Sequence, residues 1–177
     1  MRPDWNGIYP ALTTKLTTDD KLDIPLYLKN IEAQINAGIH GCVIAGSLGE
    51  ASTLSQKEKI SLLDATIAHV DGRIPVVMNI AEQSTAKAVK AAHNAQKSGA
   101  DGLMMLPPMR YLADSYETVE FYKSVANSCD LPIMVYNNPY DYKIEITISM
   151  FEELLKVSNI GATKESTRDV TNVTRLK

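Results

Sequence analysis

The sequence feature that most constrains the fold is a short apolar run that returns about every 30 residues. Each run is four to six residues long and lacks the alternation of polar and apolar residues found in half-exposed strands. Such runs are typical of strands that are buried on both faces, as in a parallel sheet. The six runs lie at 7–12, 42–45, 74–78, 102–106, 132–136 and 160–163.

Amphipathic helices are predicted between these runs. Leu28, Ile31 and Ile35 follow the helical spacing i, i+3, i+7, and similar patterns recur between the later runs. Two segments, 55–58 and 114–117, have the spacing of a capping box, which marks the start of a helix. Glycines close the first three predicted helices, at Gly38, Gly72 and Gly99. The chain therefore alternates strand and helix throughout.

Strand–helix alternation predicts a parallel sheet with right-handed crossovers, in either an open doubly wound sheet or a closed barrel. A dinucleotide-binding sheet expects G-x-G-x-x-G after its first strand, but residues 13–16 read Thr-Thr-Lys-Leu. We therefore predict an α/β protein of the (β/α)8 TIM-barrel class. A full barrel takes about 250 residues. The 177 residues hold about six strand–helix units, so 1–177 is expected to be one barrel domain truncated before strands seven and eight.

The composition argues against several classes of binding partner. The chain has 18 Lys and Arg against 21 Asp and Glu, a formal charge of −3, which gives no basic footprint for nucleic acid. No apolar run approaches the roughly 20 residues of a membrane helix, and no secretory signal opens the chain. Two cysteines and three scattered histidines supply neither a disulfide framework nor a metal site. We expect a cytoplasmic protein without membrane or nucleic-acid partners.

Functional groups of a barrel lie at the carboxyl ends of its strands, and Lys164 follows the run at 160–163. A lysine desolvated there has a lowered pKa and enough neutral amine to attack a ketone. Tyr136 ends the neighbouring run, and with strands about 4.8 Å apart its phenol can exchange protons beside that amine. Taken singly, the alternatives are a solvated strand-end lysine and a core tyrosine.

A glycine-bracketed turn, Gly46-Ser47-Leu48-Gly49, follows the second run. Its backbone N–H groups can converge on an anion such as a carboxylate, and Ser47 adds a hydroxyl. An ordinary tight turn is the alternative for this segment alone. The occurrence of the turn, the phenol and the amine at three strand ends favours a common site.

These motifs carry a family resemblance. The segments 46–50 (GSLGE), 72–76 (GRIPV), 136–139 (YNNP) and 164–165 (KE), in this order, make the chain similar to the dihydrodipicolinate synthase / N-acetylneuraminate lyase family over essentially its whole length. The resemblance implies a (β/α)8 barrel with a helical C-terminal extension, usually a homotetramer, and a lyase that needs neither metal nor organic cofactor. A homo-oligomer, dimer or tetramer, is therefore expected.

The resemblance also implies roles for individual residues. Lys164 would form a Schiff base with a 2-oxo acid such as pyruvate, and Tyr136 would be the general acid and base beside it. Ser47 would relay protons, and the amides of Ser47 and Leu48 would hold the carboxylate of the 2-oxo acid. The iminium is the electron sink that stabilises an enamine. Aldol cleavage or condensation, dehydration and deamination are all open to such a site.

Departures from the family pattern concern the second reactant. Leu48 stands where the family often has a threonine, and Arg110, with Tyr111 next to it, stands where the synthases have a relay tyrosine. Arg110 and Tyr111 are thus candidate substrate contacts. Asp141 lies at or beside the place of an arginine that holds a substrate carboxylate, and it would repel that group.

Two alternatives stay open on these grounds. The first alternative to the synthase-like lyase is a catabolic dehydratase or deaminase of sugar-acid or hydroxyproline-derived substrates. The second is an inactive barrel fragment or a noncatalytic small-acid-binding protein. An open α/β regulatory domain is a third, weaker alternative.

Overall fold

A computed structural model describes residues 2–108 and 111–177 of the chain. Its centre is a five-stranded parallel sheet in which spatial neighbours are also consecutive along the chain. This arrangement confirms the α/β class and the parallel sheet. The strands are β1 (Cys42–Ile44), β2 (Val76–Ile80), β3 (Gly102–Met105), β4 (Ile133–Asn137) and β5 (Ile160–Glu165).

Helices follow the strands, and residues next to several of the helix ends cap them. Both predicted capping boxes form, with the side chains of Ser55 and Asp114 accepting from the backbone of Glu58 and Glu117. Gly38 and Gly99 adopt the left-handed conformation just after their helices. The helices are α1 (Ile24–Asn36), α2 (Gln56–Val70), α3 (Thr85–Lys97), α4 (Ser115–Ala126), α5 (Pro139–Tyr142), α6 (Ile148–Leu154) and α7 (Thr171–Arg175).

The first predicted strand, 7–12, is wrong in extent. It lies parallel to β1 but pairs with it through a single bridge, Ala11 with Val43. The backbone N–H of Leu12 donates to the Val43 carbonyl over 2.8 Å, and the N–H of Val43 donates to Pro10 over 2.9 Å. Pro10 has no N–H of its own to donate, which limits a regular ladder. The segment therefore holds the place of a strand beside β1 without the regular pairing.

The two faces of the sheet are buried differently. Most of the core lies between the sheet and the helices, for example around Leu63, Met78 and Leu103. The opposite face carries a small cluster in which Val43, Val77 and Met104 are buried, and Trp5, Tyr9, Met134 and Tyr136 pack against it. Because side chains alternate along a strand, Met134 and Tyr136 share this second face. We call it the inner face.

None of the helices within residues 2–108 and 111–177 is both long and apolar enough to cross a membrane.

Candidate active site

Lys164 and Tyr136 lie side by side at the carboxyl ends of β5 and β4. The two residues are direct partners in the parallel register, as the sequence predicts for neighbouring strands. The Nζ atom of Lys164 is 4.1 Å from the centroid of the Tyr136 ring, within range of a cation–π contact. Both side chains are half-buried. A primary amine and a phenol thus face the same space at the end of the inner face.

The Tyr136 hydroxyl is held by the loop that follows β4. The Nδ2 group of Asn138 donates to the Tyr136 oxygen over 3.2 Å and to Oδ2 of Asp141 over 2.6 Å. Asn138 also begins α5, since its Oδ1 accepts from the backbone N–H of Asp141 over 3.3 Å. The short helix therefore places a carboxylate and an amide next to the phenol.

Tyr142, at the end of α5, connects Tyr136 to the turn at 46–49. Its ring meets the Tyr136 ring edge-on, with 5.6 Å between the centroids and 76° between the planes. Its hydroxyl shares a hydrogen bond with the hydroxyl of Ser47. Burial raises the pKa of Tyr142, the Ser47 hydrogen bond opposes that shift, and the nearby Tyr136 and Asp141 add to it. Tyr142 is therefore a neutral hydroxyl at neutral pH.

The turn at 46–50 is fixed by backbone conformation and by its neighbours. Ala45, where the chain leaves β1, has a left-handed φ of 50°, and buried Asn79 of β2 donates to its carbonyl over 2.9 Å. Buried Thr14 donates to the carbonyl of Gly49 over 2.6 Å. A Cβ on Gly49 would stand 2.8 Å from the carbonyl oxygen of Leu12, so only glycine fits there. The turn is thus preorganised before any ligand arrives.

Ser47 and Leu48 open a short 3₁₀ helix, Ser47–Gly49. Gly49 makes the first internal bond, to the carbonyl of Gly46 over 2.9 Å, so the amides of Ser47 and Leu48 have no acceptor inside the helix. That these two amides bind an anion stays a prediction. The Leu48 side chain is 73% exposed and takes no part in the aromatic contacts described above.

Two further residues, Arg110 and Tyr111, were predicted to contact the substrate. Arg110 falls outside the described residues. Tyr111 is 76% exposed and lines a surface cavity with Tyr116, Glu117 and Phe121 rather than the cleft beside Ser47. The structure therefore brings together Lys164, Tyr136 and, through Tyr142, Ser47, but not Tyr111.

A cleft of about 470 Å³ opens beside the Ser47–Tyr142 pair. The Nζ atom of Lys59 lies 3.5 Å from Oε1 of Glu82 within it, and both side chains are largely buried. The cleft gives the two hydroxyls a polar neighbourhood. No group of three His, Cys, Asp or Glu side chains among the described residues could hold a metal ion.

Sequence reasoning missed two residues of this site, Tyr142 and Asn138. Both lie within six residues of Tyr136, but nothing in the periodicity shows that a four-residue helix turns them back toward it. The available signal is Asn138-Pro139, a pair that favours a turn or the start of a helix. That signal predicts the helix and leaves the contacts undetermined.

Comparison with known proteins gives concordant matches. The model of the Dihydrodipicolinate synthetase family matches residues 4–177. The chain is 30% identical over 172 residues to the 4-hydroxy-tetrahydrodipicolinate synthase of Methanococcoides burtonii. The aligned stretch covers 97% of this chain and 58% of that protein. It is 34% identical over 166 residues to the Exiguobacterium sibiricum protein of the same name, covering 94% and 57% respectively.

Solved structures agree with the sequence matches. YagE from E. coli K12, a dihydrodipicolinic acid synthase family protein solved in complex with pyruvate, matches with a TM-score of 0.94 and 29% identity. The match covers 98% of this chain and 59% of YagE. The chain therefore spans slightly under three fifths of the length of these relatives. The barrel class predicted from the sequence is confirmed, with the chain matching part of the barrel.

Proposed function

The chain belongs to the dihydrodipicolinate synthetase family, and from that premise we propose that it carries the Schiff-base site of a lyase acting on a 2-oxo acid such as pyruvate. The observation that carries the proposal is the pairing of the Lys164 amine with the Tyr136 ring at 4.1 Å. An amine and a phenol at adjacent strand ends are the nucleophile and the proton carrier that imine chemistry needs.

The first step joins Lys164 to the 2-oxo acid. The neutral amine attacks the ketone carbon and a C–N bond forms as the C=O π pair moves onto oxygen. A proton then passes from the nitrogen to that oxygen to give a carbinolamine. Tyr136 then supplies a proton to the departing hydroxyl, and water leaves with formation of the iminium.

The second step uses the iminium as electron sink. Tyr136, which gave up its proton in the first step, takes a proton from the carbon next to the iminium carbon. The C–H electron pair becomes a C=C bond and the C=N π pair moves onto nitrogen, which gives an enamine. The enamine carbon then forms a bond to an electrophile in the condensing direction, or arises by cleavage of such a bond in the other. Ser47 is the proposed proton relay, and its hydrogen bond to Tyr142, whose ring contacts Tyr136, supports that assignment.

The carboxylate of the 2-oxo acid is assigned to the amides of Ser47 and Leu48. Both amides lack an acceptor inside their 3₁₀ helix, and the turn is held by Thr14 and Asn79 from neighbouring segments. A fixed pair of N–H donors favours an anion because no reorganisation is needed when it binds.

The identity of the second reactant depends on the surroundings of Tyr136. Asp141 places a carboxylate beside the phenol, hydrogen-bonded to Asn138 over 2.6 Å. A second reactant with its own carboxylate at that point would be repelled, so we propose an electrophile that is uncharged there. Arg110 remains a proposed contact to its distal end.

The wider assignments rest on the family. We propose that residues 1–177 form one barrel domain whose strands seven and eight lie outside this stretch. We also propose a cytoplasmic homo-oligomer, dimer or tetramer. The chain's coverage of 58% of the Methanococcoides burtonii synthase supports the first of these proposals.

The proposal is tested by proton exchange into pyruvate. In D₂O, formation and collapse of the enamine replaces the methyl protons of pyruvate by deuterium, and the methyl signal in the ¹H NMR spectrum decays. We expect decay faster than in buffer alone, abolished by Lys164→Ala and retained by Lys156→Ala, which removes an exposed lysine in the turn after α6. Decay at the buffer rate in a folded sample, or full decay with Lys164→Ala, would contradict the proposal.

A further inference from the structure

Asn138 is a buried polar residue to which neither the family motif nor the proposed chemistry gives a role. It is only 6% exposed, although it opens a surface helix of four residues. A helix cap needs only an oxygen acceptor, and most caps lie at the surface. The burial of the whole amide therefore calls for a second explanation.

The orientation of the Asn138 amide is fixed by its partners. Its Oδ1 accepts from the backbone N–H of Asp141, a group that can only donate. Its Nδ2 faces the carboxylate of Asp141, which accepts at 2.6 Å, and the Tyr136 oxygen at 3.2 Å. A flipped amide would set oxygen against carboxylate and N–H against N–H. The group next to Tyr136 is therefore an N–H donor.

We propose that Asn138 is a positioning residue for Tyr136: its Nδ2 donates to the phenol oxygen, which points the phenol hydrogen away from α5 and stabilises the phenol after it gives up its proton. The proposal rests on Tyr136 acting as the proton carrier of the proposed function. The side chain of Asn138 makes its hydrogen bonds to Tyr136 and Asp141, so its proposed effect on the chemistry is exerted through Tyr136.

The charged and titratable groups around Tyr136 explain why its oxygen needs a hydrogen-bond donor. On β5, Lys164 faces the Tyr136 ring and favours negative charge on it. On α5, the Asp141 carboxylate opposes that charge, and Tyr142 meets the ring edge-on. From the amino-terminal segment, Trp5 and Tyr9 pack in the same inner-face cluster. Asn138 stands between Tyr136 and Asp141, so its N–H groups separate the phenol oxygen from the carboxylate.

Asn138→Ser tests this role without removing the cap. Serine is a good helix cap and offers an oxygen to the Asp141 N–H, but it has no second donor for Tyr136. Asp141→Asn is the matched control, since it removes the opposing carboxylate and leaves the amide of Asn138 in place. Thermal unfolding of both variants, followed by circular dichroism, shows whether the fold is kept.

Two readouts separate this inference from the proposed function. The first is ¹³C NMR of the chain labelled at the tyrosine ζ carbon, with the Tyr136 signal assigned from the spectrum of Tyr136→Phe. The second is the rate of pyruvate adduct formation under cyanoborohydride as a function of pH. We expect Asn138→Ser to move the titration of the Tyr136 signal, and the falling limb of the rate profile, about one pH unit upward, because Tyr136 acts as the proton donor. Asp141→Asn should move neither upward.

The possible results separate the role of Asn138 from the proposed function. An upward shift of the Tyr136 signal in folded Asn138→Ser alone supports the inference, whereas an unchanged signal, or an equal upward shift in Asp141→Asn, overturns it. Absence of any adduct in the unsubstituted chain contradicts the proposed function, and the NMR titration still decides the role of Asn138. Loss of folding in Asn138→Ser moves the test to Asn138→Thr, which keeps the cap with a second hydroxyl residue.

Discussion

The amine of Lys164 lies over the ring of Tyr136, 4.1 Å from its centroid, because the two residues are register partners on neighbouring parallel strands. The proposed iminium would place a cationic nitrogen over the same ring, so the contact can stabilise the adduct once it has formed. The relationship requires only that β4 and β5 keep their register.

Tyr136→Phe separates the ring from its hydroxyl. The ring face over Lys164 is retained, and we expect the rate of pyruvate adduct formation to fall by about 100-fold or more, the usual cost of losing a general acid and base. The free energy of unfolding should fall by no more than about 1 kcal/mol, since one hydrogen bond is lost. Trapping kinetics with cyanoborohydride measure the first effect and urea unfolding the second. Half-exposed Tyr140, changed to Phe, should leave the rate unaltered.

Tyr142→Phe removes the hydroxyl that holds Ser47. The edge-on contact with Tyr136 is kept, so we expect a smaller loss of adduct formation, about fivefold, equivalent to one hydrogen bond of about 1 kcal/mol. Because burial raises the pKa of Tyr142, its hydroxyl is protonated at both pH 7 and pH 9, and the fivefold ratio should be the same at both. A ratio that disappears at pH 9 would show that the Tyr142 hydroxyl had ionised.

Gly49→Ala tests the packing of the turn that carries Ser47. The added methyl group would stand 2.8 Å from the carbonyl oxygen of Leu12, a backbone atom that cannot move away cheaply. We expect the free energy of unfolding to fall by about 1–3 kcal/mol. Gly161→Ala is the matched control, because nothing lies within 4 Å of the Cβ it would add. Equal unfolding midpoints for the two variants in urea would contradict this account of the turn.

The ion cluster that joins α1 to α2 predicts a pH dependence of stability. Hydrogen bonding to the Arg73 guanidinium, helped by His69, lowers the pKa of Glu32 from 4.5 to about 2. A carboxyl group whose pKa is lower in the folded than in the unfolded protein adds stability at pH values above the unfolded pKa. That contribution is lost as the pH falls from 4.5 toward 2. Glu32→Gln should therefore destabilise the protein at neutral pH, by a small amount because the pair is screened by solvent, and progressively less below pH 4.5.

The measurement for Glu32 is the free energy of unfolding of both proteins at several pH values. Exposed Glu152 of α6, changed to Gln, serves as the control and should lower stability little at any pH. A Glu32→Gln effect of constant size from neutral to acid pH would show that the ion cluster does not set this dependence.

The sequence predicts best what depends on neighbours along the chain. The capping boxes at Ser55 and Asp114 form as expected, because a cap involves only residues three positions apart. The adjacency of Tyr136 and Lys164 was predictable because consecutive strands of a parallel sheet pair and end on the same side. The first strand was predicted too long, because its apolar run contains Pro10, which interrupts the ladder.

The contacts that turn residues make could not be predicted from the sequence. Tyr142 reaches Ser47, 95 positions earlier in the chain, only because the four residues of α5 turn back over the end of β4. The side chain of Asn138 has two donors and one acceptor oxygen, and the sequence does not show which groups they meet. Such contacts depend on the three-dimensional course of one loop rather than on any periodicity.

The central claim is that Lys164 is the nucleophile, and the most direct measurement is the position of the reduced adduct. The chain is incubated with pyruvate and sodium borohydride, digested, and its peptides are analysed by mass spectrometry. The account predicts one pyruvate-derived modification, on the peptide that contains Lys164, and its loss in Lys164→Ala. Modification of a different lysine, such as buried Lys59, or an unmodified Lys164 in a folded sample, would contradict it.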